Sequence, residues 1–149
     1  MAKDMAKDNE ALVRGVYAAF ARGDLEAVLA AFDAQIVWHT PATLPWSRGD
    51  YRGHAGVREY FTSFMAHLEA PRILPDALFV CGDRVVGLGA ERARVRATGA
   101  AFAAEFAHIW TLRGGRVVRL HGIVDTAAIC RAFGPDPVPP PAAPAAPAR

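Results

Sequence analysis

The stretch Glu105–Thr126, EFAHIWTLRGGRVVRLHGIVDT, decides how this chain folds. It reads as two strands, Phe102–Arg113 and Arg116–Val124, joined at a glycine pair, and it carries His108, His121 and Asp125. Two turn registers fit. A two-residue Gly114–Gly115 loop pairs Arg113 with Arg116 and sets His108 opposite His121. A three-residue loop, with Gly115 in a left-handed bulge conformation, pairs Leu112 with Arg116 and His108 with Leu120. Burial favours the second. Phe106, His108, Trp110 and Leu112 share a strongly apolar face, and the three-residue register joins it to Val118, Leu120 and Val124. The two-residue register would join it to Arg119 and His121. His108 is therefore expected to point inward and His121 outward.

Working back from this hairpin, the sequence holds helices first and strands after. Leu12, Val16 and Phe20, with Val13 and Tyr17 beside them, mark an amphipathic helix over Asn9–Arg22, ended by Gly23. Asp24 is placed to cap a second helix carrying Leu25, Val28, Leu29 and Phe32. Gln35–Thr40 is a short strand. Residues 41–53, with Pro41 and Pro45, form a loop that could cover a pocket. A third helix spans about His54–Leu68, and Pro71 and Pro75 punctuate its exit. Ala77–Cys81 and Arg84–Arg96 are strands, and Asp125–Phe133 is a short closing helix. Residues 1–8 are polar and expected to fray. Residues 134–149, GPDPVPPPAAPAAPAR, are expected to be a disordered tail. Helices gathered before an antiparallel meander make an α+β domain over 9–133. A curved sheet wrapped on three or four helices leaves a cone-shaped pocket for a small ligand.

The 149 residues suit one domain, with 52% apolar and 21% charged residues. A net charge of +2 with scattered arginines shows no basic stripe, so nucleic acid is not an expected partner. No apolar run reaches the length of a membrane span, and no secretory leader pattern opens the chain. Cys81 and Cys130 have no metal or redox spacing and read as reduced thiols of a cytoplasmic protein. No pair among the five histidines has a metal-ligand spacing, so no metal site is expected. His54 and His67 read as surface residues. Arg92, Arg94 and Arg96 share the solvated face of their strand.

The order AAFARGDLEAVLAAF, IVWHTPA, YRGHAGVREYF and TGAAFAAEFAHIWTLRGGRVVRLHGIVDTAAI resembles the SnoaL-like branch of the nuclear transport factor 2-like, ketosteroid isomerase-like superfamily. The resemblance covers about residues 9–133. It implies a cone-shaped fold, cofactor-independent acid/base chemistry of the cyclase, isomerase or dehydratase kind, and a role in secondary metabolism such as antibiotic biosynthesis. His108 falls where the polyketide cyclases keep a pocket histidine. Their acid/base aspartate falls at Gly122. The isomerases' proton-transferring aspartate falls at Thr40, and their oxyanion tyrosine at Val16, one step from Tyr17. Asp125 matches a common aspartate before the closing helix.

These readings give a candidate site. His108 and Asp125 are the catalytic candidates: an imidazole suits proton transfer near neutrality, or donation to a substrate carbonyl. Asp125 also reads as a helix N-cap. Tyr17, Trp38, Thr40, Trp46, Tyr60, Phe106 and Trp110 are the candidate pocket walls, each also a plausible core residue. His39 alternates with Trp38 and Thr40 and should face away from them. The expected ligand is a cyclic, mostly apolar small molecule. The same pocket also suits a non-catalytic binding protein. Arg119, His121 and Ile123 mix polar and apolar character on the outer face of the last strand, which the resemblance marks as a homodimer surface.

Overall fold

A computed structural model describes residues 2–135. Its element order is α1 (Ala2–Ala21), α2 (Leu25–Ala30), β1 (Phe32–His39), β2 (Asp50–Arg52), α3 (Gly53–His67), β3 (Leu68–Cys81), β4 (Arg84–Val95), β5 (Ala101–Arg113), β6 (Arg116–Val124) and α4 (Thr126–Phe133). The six strands form one open, curved sheet in the order β2-β1-β6-β5-β4-β3. Only β1 and β6 run parallel; the other neighbours are antiparallel. The helices lie against the concave side, which makes this the α+β cone expected from the sequence.

Apolar spacing explains the helices. In α1, Val13, Val16 and Tyr17 are buried together and face β3 and β4. The helix begins at Ala2, so the segment expected to fray is helical from that residue on. Asp24 caps α2, its carboxylate accepting from the Ala27 amide at 3.0 Å. In α3, Val57, Tyr60, Phe61 and Phe64 turn inward, while Met65 is exposed. The expected tail lies outside the described residues apart from Gly134 and Pro135.

Two strand readings need correction. β3 runs through both Pro71 and Pro75, which had marked the end of a helix and a loop. It is an edge strand, and its register shifts between Glu69 and Arg72 and between Pro75 and Ala77. An edge with bulges is where a strand tolerates residues that cannot donate. The β5–β6 hairpin takes the two-residue loop, not the three-residue one. Arg113 pairs with Arg116, and Gly114 and Gly115 adopt φ of 57° and 74°, a pair of values suited to glycine. The phase is then corrected within the strand: Leu112 pairs with Val117 but Thr111 pairs with Arg119, so Val118 is the extra residue of a bulge. Val117 and Leu120 point into the core, Arg119 and His121 point out, and His108 pairs with Gly122 on the inner face. The inward placement of His108 holds, by a different device and with Val117 in the place expected for Val118.

Candidate functional site

The concave face of the sheet and the helices over it enclose a cavity. It holds about 610 Å3 of space, part of it open to solvent at the mouth. It is a narrow slot. Tyr17 from α1, Trp38 from β1, Tyr60 from α3, Glu91 from β4, and His108 and Trp110 from β5 reach its wall, and Thr40 and Gly122 complete that side. The remainder is mostly aliphatic and aromatic, including Val16, Phe20, Leu44, Phe61 and Leu120.

A hydrogen-bonded chain fixes His108. Trp110 Nε1 donates to the Tyr17 hydroxyl at 3.0 Å, and that hydroxyl lies 2.7 Å from His108 Nδ1. The Tyr17 oxygen accepts from Trp110, so its single proton is free to donate to Nδ1. This assignment gives every polar atom of the chain a role and puts the imidazole proton on Nε2. Phe106 stacks on the imidazole at 4.0 Å, and Tyr17 lies nearly parallel to it with centroids 5.8 Å apart. Burial pushes the His108 pKa down to about 3 and pushes that of Tyr17 well above its ordinary value. Both are neutral near pH 7. His108 is thus a hydrogen-bond donor with a fixed tautomer rather than a group poised to titrate.

Two glycines make room for this arrangement. Gly87 faces His108 across β4 and β5, and a Cβ there would sit 2.6 Å from the Tyr17 hydroxyl oxygen. A Cβ on Gly122 would meet Thr40 Cγ2 at 3.3 Å and His108 Cδ2 at 3.8 Å, and would project into the slot.

The sequence reading passes over Glu91. Its side chain is 5% exposed, lines the same cavity, and leaves Oε1 without a hydrogen-bond partner. Burial alone pushes its pKa up to about 7. A signal was present: Glu91 shares strand parity with Val85, Ala93 and Val95, opposite Arg84, Arg92 and Arg94, which are exposed as expected. Trp38 Nε1 is likewise buried without a partner. These are the only such side-chain atoms among the described residues, and both belong to the cavity wall. Each orphan costs about 1–3 kcal/mol relative to a satisfied group.

The other candidates divide. Tyr17, Trp38, Thr40, Tyr60 and Trp110 line the cavity with His108, whereas Trp46, Phe106 and Asp125 do not. Trp46 is fully buried behind it and donates to the Tyr60 hydroxyl at 3.0 Å. Phe106 backs the imidazole. Asp125 is exposed and accepts from the Ala128 amide at 3.1 Å as the N-cap of α4, so the capping reading describes it and it is separated from His108. The 41–53 loop is anchored rather than lid-like. Leu44, Trp46 and Ser47 are buried, Ser47 Oγ lies 2.7 Å from Thr40 Oγ1, and Arg48 grips Glu59 through two bonds. His39 faces away from Trp38 and binds Asp50. His54 and His67 are half-buried, bonded to the Phe32 and Ser63 carbonyls, rather than free surface residues. Among the described residues no group of three or more His, Cys, Asp or Glu comes together as for a metal ion, and no helix is long and apolar enough to cross a membrane.

The SnoaL-like domain family matches residues 13–120, which spans most of the elements just described. The chain belongs to the SnoaL-like family. Solved structures agree with the membership of this SnoaL-like chain. An NTF2-like protein of unknown function from Burkholderia pseudomallei is 32% identical over 86% of this chain and 98% of its own, with a TM-score of 0.80. TerC, co-crystallised with polyporic acid, is 28% identical over 85% of this chain and 98% of its own, with a TM-score of 0.78. IdmH from Streptomyces antibioticus, a proposed polyketide cyclase, shares the fold at 22% identity and a TM-score of 0.72, over 85% of this chain and 98% of its own. No curated protein matches the SnoaL-like chain.

Proposed function

We propose that this SnoaL-like protein is a small-molecule enzyme of the cyclase, isomerase or dehydratase kind, acting on a cyclic, mostly apolar carbonyl substrate in secondary metabolism. The observation that carries the reading is the Trp110–Tyr17–His108 chain, which leaves a neutral imidazole with its Nε2 proton free for a ligand in an apolar slot. Such a donor stabilises the negative charge that develops on a carbonyl oxygen as a solvent or buffer base takes the α-proton and the C–H electron pair moves into the enolate. A neutral donor costs less to bury than an imidazolium, and its orientation is set before the substrate arrives. The relative co-crystallised with polyporic acid supports a small organic occupant. The protein would work as a cytoplasmic homodimer, its outer sheet faces meeting.

The reading is tested by proton exchange. A benzo-fused cyclic ketone such as 2-tetralone, in deuterated buffer, exchanges its α-hydrogens through the enolate, and NMR follows the rate. The protein should accelerate the exchange. Tyr17→Phe removes the hydroxyl that holds Nδ1, and His108→Ala removes the donor. Loss of an oxyanion donor lowers rates by about 10²-fold or more. Ketone binding with no acceleration in the unaltered protein would replace the enzyme by a binding protein with the same pocket.

A further inference from the structure

We propose that Glu91 is the second polar end of this cavity and holds a hydroxyl group of an elongated ligand whose other end carries an oxygen accepting from His108 Nε2. The inference rests on the proposed reading of His108 and extends it from one contact to a substrate class: molecules with an apolar body and an oxygen function at each end.

Three observations support it. The first is position. Gly87 lies opposite His108, and Glu91 is four residues further along β4 on the same inward face, so the two groups stand roughly 13 Å apart along the strand. At that spacing of their strand positions the two side chains are placed to hold the two ends of one molecule. The second is satisfaction. Glu91 Oε1 and Trp38 Nε1 are the buried side-chain atoms that lack partners among the described residues. The Glu91 oxygen is an acceptor, and a ligand hydroxyl can donate to it. The third is the wall between. Phe20, Phe61, Val16 and Leu120 carry no polar side-chain atom, so that part of the wall suits a ligand with an apolar body.

The titration behaviour is consistent with this assignment. Glu91 pairs with Ile73 on β3 and Ala104 on β5, and it acts electrostatically on Tyr60 of α3. Among the described residues no other charged side chain lines the cavity. Tyr17, Tyr60 and His108 are the remaining titratable groups of the wall; the tyrosines are pushed upward and His108 downward. Glu91 alone changes charge near neutrality, with its pKa pushed to about 7. Its carboxylate form is the stronger acceptor for a hydroxyl proton.

The test uses 4,4′-dihydroxybiphenyl, which has a hydroxyl at each end, and 4-hydroxybiphenyl, which has one. Both are titrated calorimetrically into the full chain between about pH 5.5 and 8.5, below the usual range for phenol ionisation. The diol should bind about tenfold tighter than the mono-ol at the upper pH, the scale of one bond to a charged group, and its affinity should rise as pH passes through about 7. Glu91→Gln should flatten that pH dependence. Glu91→Leu should bring the two affinities within about twofold of each other, the statistical advantage of two equivalent ends. Thermal melts establish that each variant is folded; if the leucine variant is not, the flattened profile of the glutamine variant decides. Equal binding of the two phenols to the unaltered protein, or a pH dependence that survives Glu91→Gln, overturns the role of Glu91 and leaves the His108 reading standing. Failure of both phenols to bind overturns the small-molecule reading and this inference with it.

Discussion

At the scale of the residue, His108 and Glu91 draw opposite consequences from the same burial. Desolvation favours the neutral form of each. For His108 the folded pKa of about 3 lies below the unfolded value, so the unfolded chain binds more protons between about 3 and 6.5, and stability is lost as pH falls through that window. For Glu91 the folded pKa of about 7 lies above the unfolded value of 4.5. The folded chain then binds more protons, and stability is lost as pH rises from about 4.5 to 7. Glu91→Gln keeps the shape and removes the charge. It should therefore be more stable than the unaltered protein at pH 8 by about 1–3 kcal/mol, and nearly equal to it at pH 4.5. Urea unfolding at the two pH values measures this, and an equal difference at both would mean that Glu91 is not held neutral. The parity of Glu91 with its buried neighbours was visible in the sequence. Its significance was not, because a carboxylate leading into a run of alternating arginines reads as part of a solvated face until the strand's inner side is known to bound a cavity.

At the scale of the element, the β5–β6 hairpin shows why register resists a reading from sequence. Burial required Leu112, Trp110 and His108 to share a face with Leu120, and that requirement was correct. A three-residue turn and a two-residue turn followed by a bulge both satisfy it, and the two differ only in where the extra residue sits. The apolar pattern fixes the phase of the strand beyond the irregularity, not the location of the irregularity. Asp125 presents a similar ambiguity at a helix terminus: one aspartate could cap α4 or serve the pocket, and the 3.1 Å bond to the Ala128 amide belongs to a cap. Asp125→Ala should cost about 1 kcal/mol in urea unfolding. It should leave ketone exchange per folded molecule unchanged. A loss of exchange with no loss of stability would return Asp125 to the site.

At the scale of the whole molecule, the helices, the presence of a closing hairpin and the cone were legible because the apolar spacing that marks each element is local. The path of β3 through two prolines and the anchoring of the 41–53 loop were not, since both depend on which strand lies at the edge and what packs above it. The outer face of the sheet also becomes clear only with the strands aligned. Leu88 stands between Ala77 and Ala107, and Ala107 pairs with Ile123, so one row of the convex surface is apolar across four strands. Leu88 and Ile123 are 41% and 49% exposed, and Phe79 is 56% exposed in the next row. A two-fold contact would bury this row against its own copy. Light scattering at micromolar concentration should give about twice the chain mass, and Leu88→Glu with Ile123→Arg should reduce it to that of the single chain. A monomeric unaltered protein would exclude the contact.

The inner cavity is not the only hollow. Phe20, Val28 and Phe61 line it on one side and, on the other, bound a second, more open hollow completed by Leu25, Thr62 and Met65. The Phe20 and Phe61 rings meet at 5.2 Å across that partition. A rigid ligand that uses this route cannot pass until the rings turn aside, so the partition governs time rather than affinity. Both entry and departure would wait on the same rearrangement, and both would slow together. Phe20→Ala should speed association and dissociation of 4-hydroxybiphenyl by similar factors in stopped-flow fluorescence, leaving their ratio within about threefold of the original, since one contact is lost as well as one obstacle. The residence time of the occupant would then be set by two phenyl rings that carry no polar atom of their own.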